Sequence, residues 1–257
     1  MPINGLRAFV ACSLLLGIAC GSDRQAAPSG PPANAKVVDE SKAGSVSGRV
    51  TIEGTVPPNP LVKISADPYC AGQNPNDVAF ENFVVHDGGL DNVFVYVTDK
   101  FDYYFEVPTT PVKLDQQRCH YSPHVLGVRV GQTLSVSNSD ETLHNVHALS
   151  QGNGEWTKSQ PLKNMSNEKV FTAREVMVPF KCDVHNWMHA YVGVLDHPYF
   201  GVTRDGGKFE LKNLPAGTYT VEAWHEKLGT QRQSVTIGEK QSTAITFTFK
   251  APAPGTD

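Results

Sequence analysis

An all-β chain is expected from Gly48 onward, because its apolar residues alternate with polar ones in short runs of period two. Turn-forming clusters separate the runs ("DGG" twice, "GQ", "NGE", "LPAG"), and no window sustains a 3.6-residue apolar period between helix caps. Many short antiparallel strands bury their alternate faces most economically as β-sandwiches.

What precedes the strands reads differently. Leu6 to Cys20 is the one long apolar run, too short to span a bilayer and of the right length for an export segment. It ends "LLLGIACGSD", which resembles a bacterial lipobox, with Ala19 before Cys20. Residues 1–19 are therefore expected to be a signal peptide, and Cys20 to carry lipid and anchor the mature chain to a membrane in the periplasm. Ordinary cleavage in the same region, leaving a soluble periplasmic protein, is the alternative. Residues 20–45, rich in Pro, Ala, Gly and Ser, bury too little surface to offset their ordering and are expected to form a flexible tether.

The strands follow in order. "SGRVTIEG" (Ser47 to Gly54) opens the series, and "NVFVYVT" (Asn92 to Thr98) puts Val93, Val95 and Val97 on one face. "GVRVGQTLSVSN", "EKVF" and "REVMVPF" carry the pattern to Phe180. "KFELKN", "TYTVEAWH", "QSVTIG" and "AITFTF" complete it, with Tyr219, Val221 and Ala223 sharing a face, as do Ile245, Phe247 and Phe249. With 257 residues, a formal net charge of -4 and no long basic run, the chain can hold two ordinary domains and lacks the clustered Lys and Arg that nucleic acid requires. No G-x-S-x-G, H-E-x-x-H or P-loop pattern occurs, which leaves hydrolase readings without a motif.

"DGGKFELKNLPAGTYTV" (Asp205 to Val221) resembles the carboxypeptidase regulatory-like domain, a prealbumin-like sandwich. Residues 198–250 supply only about four strands, short of a closed sandwich of this type. The resemblance implies that residues 46–108, which hold the opening strands, join 198–250 in a discontinuous domain. Residues 109–197 would then be an insertion, and two domains in tandem are the alternative.

The inserted stretch resembles the cupredoxins, particularly plastocyanin and pseudoazurin, through "YSPHVLGVRVGQTLSVSNSD", "LHNVH" and "FKCDVH" in that order. The resemblance implies a Greek-key sandwich and one copper ion. Carried over by position, His144 and His185 are the imidazole ligands, Cys182 the thiolate and Met188 the weak axial donor, a set that tolerates both Cu(I) and Cu(II). Asn145 would hold the ligand loop from outside the metal's own shell. Met188 lies three residues after His185, whereas the plastocyanin pattern places methionine at what is here Ala190. His147 and His189 are accordingly alternative ligands. His86, His124, His197 and His225 are read as surface or satisfied core histidines, and zinc is the rival metal.

Of five cysteines, Cys12 falls in the signal peptide and Cys20 in the lipobox. Once the resemblance gives Cys182 to the metal, Cys70 and Cys119 remain and are expected to pair, as export favours. Two unpaired thiols are the alternative. The function implied is one-electron transfer, with no enzymatic activity and with the ring edge of His185 as the port to a redox partner such as a cytochrome or membrane oxidoreductase. A non-redox envelope binding or scaffold protein, or one that stores or delivers copper, is the competing expectation.

Overall fold

The computed structural model describes Met1 and residues 30–76 and 78–253. Apart from Met1, the expected signal peptide and Cys20 lie outside the described residues, and the architecture below is that of the unit beginning at Pro31. In chain order its elements are β1 (Gly44–Glu53), a 3-10 turn (Ile64–Ala66), α1 (Pro68–Gln73), β2 (Val85–His86), β3 (Gly89–Leu90), β4 (Phe94–Val97), β5 (Val112–Gln117), β6 (His120–Ser122) and β7 (Val125–Arg129). There follow β8 (Thr133–Asn138), β9 (His144–Ala148), β10 (Trp156–Gln160), β11 (Ser166–Val170), β12 (Glu175–Lys181) and β13 (His189–Leu195). The last five are β14 (Phe200–Val202), β15 (Lys208–Leu214), β16 (Gly217–His225), β17 (Gly229–Ile237) and β18 (Ser242–Lys250). Among the described residues the chain is all-β but for one short helix and the 3-10 turn.

Two sandwiches result. In the first, β1 lies between β18, paired in parallel, and β15 with β3, paired antiparallel, while the order β14-β4-β16-β17 makes the facing sheet. Val46, Val50, Phe209, Leu211 and Phe247 meet Val93, Val95, Val97, Val221 and Ala223 between them. In the second, β10-β9-β12-β13-β7 faces β11-β8-β5-β6 around Leu114, Leu134, Val136, Val146, Val178, Phe180 and Val192. The first sandwich draws its strands from both ends of the described chain, and the second from the stretch between.

Sequence chemistry explains the tight corners. Asp205, Gly206 and Gly207 all have positive φ, and a Cβ at Gly207 would stand 2.0 Å from the Val50 carbonyl oxygen, so only glycine fits there. Tyr219 closes the Leu214-Pro215-Ala216-Gly217 corner by donating its hydroxyl to the Pro215 carbonyl at 2.9 Å.

Strand β4 is buried on both faces. Its valines fill the first sandwich, while Phe94 and Tyr96 point to the junction with the second, meeting Val125, Met177 and Leu195. Gly127 and Gly193 stand opposite each other in the parallel β7/β13 register. A Cβ on either would come within 2.3 Å of an aromatic ring carbon, of Phe200 or Phe94 respectively. The paired glycines thus make the flat floor on which the stacked Phe94 and Phe200 rings lie.

Two expectations need correcting. The tether assigned to 20–45 stops short of Gly44, because Lys36 places its ammonium 4.3 Å from the centre of the Tyr103 ring and accepts from Tyr104 N at 2.7 Å, and β1 starts at Gly44. Residues 62–80, expected within the prealbumin-like part, pack instead on the second sandwich through Val62, Ile64, Cys70, Val78 and Phe80. The Cys70–Cys119 disulfide fixes them there.

His197 and His225 are 1% exposed and satisfied within the core: His197 donates to the Val97 carbonyl and accepts from Tyr199 N, and His225 accepts from Lys227 N. Burial pushes the pKa of each down to about 4. The unfolded chain then binds more protons than the folded one between the ordinary histidine value and pH 4, so stability falls as pH drops through that window, by up to about 3 kcal/mol per ring. His197→Gln, which keeps a donor for Val97, is expected to flatten this acid loss in denaturant titrations at pH 4.5 and 7.

Candidate metal centre

Three side chains converge at one end of the second sandwich. His144 opens β9 facing inward with Val146 and Ala148, and Cys182 follows the last residue of β12. His185 lies in the turn between β12 and β13, closed by Met188 N donating to the His185 carbonyl at 2.9 Å and Cys182 N to the Met188 carbonyl at 3.1 Å. His144, Cys182 and His185 are 0%, 1% and 2% exposed, and one donor atom from each lies within 4.8 Å of the other two.

The proton arrangement makes this cluster suited to a cation. His144 Nε2 lies 2.9 Å from Asp140 Oδ2, and His185 Nε2 lies 3.1 Å from Asp67 Oδ2. Burial would raise both carboxyl pKa values, but it is outweighed at Asp67 by the N–H of Cys70 and His185, and at Asp140 by His144 and the N–H of Cys119. Both groups therefore stay ionised, accept only, and fix the proton of each ring on Nε2. The two Nδ1 atoms are left 3.0 Å apart, with the Cys182 sulfur 3.8 Å from that of His185. Two imidazole nitrogens and a sulfur in mutual contact need a proton or a metal ion shared among them, and carboxylate-backed histidines are the usual outer support of such an ion.

The thiol is prepared for that role. Burial would raise its pKa, yet contact with His144 and His185 and the Asn145 N–H at 3.5 Å bring Cys182 down to about 6. His144 moves the other way, to about 8: burial lowers it, and Asp140 and Cys182 more than compensate. Soft thiolate with two imidazoles fits copper or zinc.

Met188 is buried in the same core cluster as Cys182 and Trp187, and strand parity puts it on the inward face with Ala190 and Val192. Asn145 ties the loop that carries Cys182 and His185, accepting from Asp183 N at 2.5 Å and donating to Asp183 Oδ2 at 2.8 Å. His147 and His189 do not join the cluster. Three residues after an inward histidine on a strand, His147 faces outward and bonds Asp183 and Glu155. His189 lies on the junction face of β13 with Tyr191.

The expected port at His185 is also overturned. Its outer edge is covered by Asp67, whose other oxygen caps α1 by accepting from Cys70 N at 3.0 Å. The cross-link of Cys70 to Cys119 clamps this cover down, and Cys119 N in turn donates to Asp140 at 2.8 Å. Sequence reasoning missed both aspartates. Asp67 before Pro68 carries a helix N-cap signal, whereas Asp140 had none beyond its closeness to His144.

No family model and no curated protein sequence matches the chain. Among solved structures it is similar to a copper(I) form of an amicyanin variant, at 27% identity over 35% of this chain and 86% of that one, with a TM-score of 0.30. A copper-containing nitrite reductase from Thermus scotoductus SA-01 matches at 17% identity over 38% of this chain and 25% of its own, with a TM-score of 0.31. A purple cupredoxin from Nitrosopumilus maritimus matches at 22% identity over 32% of this chain and 97% of its own, with a TM-score of 0.28. Over about a third of its length the chain is similar to a copper(I) amicyanin, a copper-containing nitrite reductase and a purple cupredoxin.

Proposed function

We propose that this is an exported, envelope-anchored copper protein that carries single electrons through one mononuclear site held by His144, Cys182 and His185, with Met188 as weak axial donor. The observation that carries this reading is the convergence of Cys182 Sγ with two Nδ1 atoms whose rings are each backed by a carboxylate. Bound copper would supply a one-electron couple. The chain's part is to fix the donors, so that neither oxidation state requires rearrangement, and to exclude water. With every donor 2% exposed or less, no substrate has room beside the metal, which favours a carrier over an enzyme. Leu143 and Val184, each adjacent in sequence to a histidine ligand, are 42% and 49% exposed and would give a redox partner an apolar place to dock.

The cover over His185 favours a second reading, copper storage or delivery, because a clamped site holds its ion at the expense of an exposed electron port. Titrating metal-free protein with copper and then cycling it with reductant and oxidant separates the two. A carrier gives an intense visible thiolate band that bleaches and returns reversibly, and a delivery protein loses copper to a chelator on reduction. Stoichiometric copper with no such band, or retention of zinc in preference to copper, sinks the proposal. Met188→Gln is expected to keep copper but lower its reduction potential and shift the spectrum toward a more tetragonal type, since a harder axial donor favours Cu(II).

A further inference from the structure

A second cluster of metal-ligating groups lies at the junction of the two sandwiches, outside the site already described. It consists of His124, just before β7, His189, at the start of β13, and Glu226, just after β16, and one donor atom from each lies within 4.8 Å of the other two. We infer that His124, His189 and Glu226 bind a divalent cation of the zinc class, which staples the two sandwiches together.

The fold brings the three together by register. Parallel pairing of β7 with β13 sets Val125 beside Tyr191, and Tyr191 N donates to the His124 carbonyl at 2.9 Å, so the two histidines are neighbours with ring centroids 5.1 Å apart. Glu226 arrives from the other sandwich, just past the end of the strand whose Trp224 packs against Tyr191. The His124 and Glu226 side chains are 5% and 3% exposed, while His189 is 24% exposed and lines a cleft with His124, Phe80, Glu81 and His120, which gives an ion a way in.

Hydrogen bonding shows what the cluster lacks. His189 Nδ1 lies 3.0 Å from the Trp187 carbonyl, which only accepts, so the ring's proton sits there and the neutral ring's Nε2 is bare. That bare nitrogen faces Glu226 Oε2 at 3.7 Å, lone pair to lone pair, with no hydrogen-bond donor for it among the described residues. His124 Nε2 meets the other Glu226 oxygen at 2.5 Å, and its Nδ1 lies 3.6 Å from Glu81. A buried ion pair between His124 and Glu226 accounts for those two groups and leaves His189 Nε2, at the cleft rim, without a protein donor among the described residues. A cation accounts for all three: it replaces the one proton shared by His124 and Glu226, which is released, and gives His189 Nε2 a partner. Ligand atoms around tetrahedral zinc stand ~3.4 Å apart. Here the two histidines meet the two Glu226 oxygens at 2.5 and 3.7 Å, with one donor from each residue within 4.8 Å of the others, so side-chain shifts would draw them around one ion. Tyr191 donates to Glu226 Oε2 at 3.2 Å and stays in place, whereas Lys227, 3.9 Å from that oxygen on a 45% exposed side chain, is the group the ion displaces. Two imidazoles and one carboxylate leave a position open toward the cleft.

The test uses the full chain carrying one equivalent of copper, titrated with Zn(II) against a chromophoric chelator. One further equivalent of zinc should be retained at micromolar affinity or tighter, with a rise in thermal midpoint. Glu226→Gln and, at the cleft rim where folding is least at risk, His189→Gln should each weaken zinc at least tenfold and cancel the rise. Cys182→Ser protein, which lacks the first site's thiolate, should still take one zinc that depends on His189, so the result stands whatever the first site binds. Wild-type protein that retains no zinc outside the His144, Cys182 and His185 cluster, or His189→Gln protein that binds it as tightly as wild type, overturns the inference.

Discussion

Cys182→Ser is expected to abolish the visible thiolate-to-copper band and to weaken copper binding by more than the ~10–100-fold that the loss of an outer supporting residue costs. A serine hydroxyl does not ionise near neutral pH, so the two histidine Nδ1 atoms, 3.0 Å apart, lose the anion that balances a cation between them. Metal-free wild-type protein carries that anion already, because His144 and His185 bring the thiol down to about 6. Fold is expected to survive, since Cys182 and serine are close in size and the cores around Val146, Phe180 and Val192 are untouched. Copper titration followed by absorbance, with circular dichroism as the check on folding, reads both outcomes. A serine variant that keeps the band would show that the chromophore lies elsewhere in the chain.

How far the site can be read from the chain depends on which forces hold each part. The all-β architecture is legible because alternation is local: Val93, Val95 and Val97 face one way, and Phe94 and Tyr96 the other, into the junction. Parity could also have separated His144 from His147, because an odd separation along a strand puts two side chains on opposite faces. The same rule sets Met188 apart from His189. What no local rule supplies is the cover on His185. Asp67 reaches that ring across more than a hundred positions, and it does so because Cys70, within the same short helix, is tied to Cys119. A burial pattern shows that Val62, Ile64 and Cys70 need an apolar partner, yet not that the partner is the second sandwich rather than the first. Glycines mislead in a similar way: Gly127 and Gly193 read as weak points in two strands, whereas the structure uses their bare backbones as the seat for Phe94 and Phe200.

Removing the cross-link by replacing both Cys70 and Cys119 with alanine is expected to cost about 4 kcal/mol, from the entropy of a loop with 49 residues of sequence separation. Its melting midpoint should fall by roughly ten degrees. The second consequence concerns the metal. Cys70 N holds one oxygen of Asp67 while the other holds His185, and Cys119 N holds the same Asp140 oxygen that supports His144. One bond therefore steadies the outer carboxylate of each imidazole, and breaking it should loosen both together. Copper should bind about 10–100-fold more weakly and leave faster in a chelator challenge. Asp67→Asn separates the two effects, because it keeps the disulfide and its loop constraint but takes the anion from His185 alone. This variant should lose copper affinity with little change in melting midpoint. If the double-alanine protein melts early yet binds and releases copper as wild type does, the cover over His185 is a matter of stability only. Slow release would then have to come from the thiolate and imidazoles themselves, and the argument for storage from the clamped site would fall while the carrier reading stood.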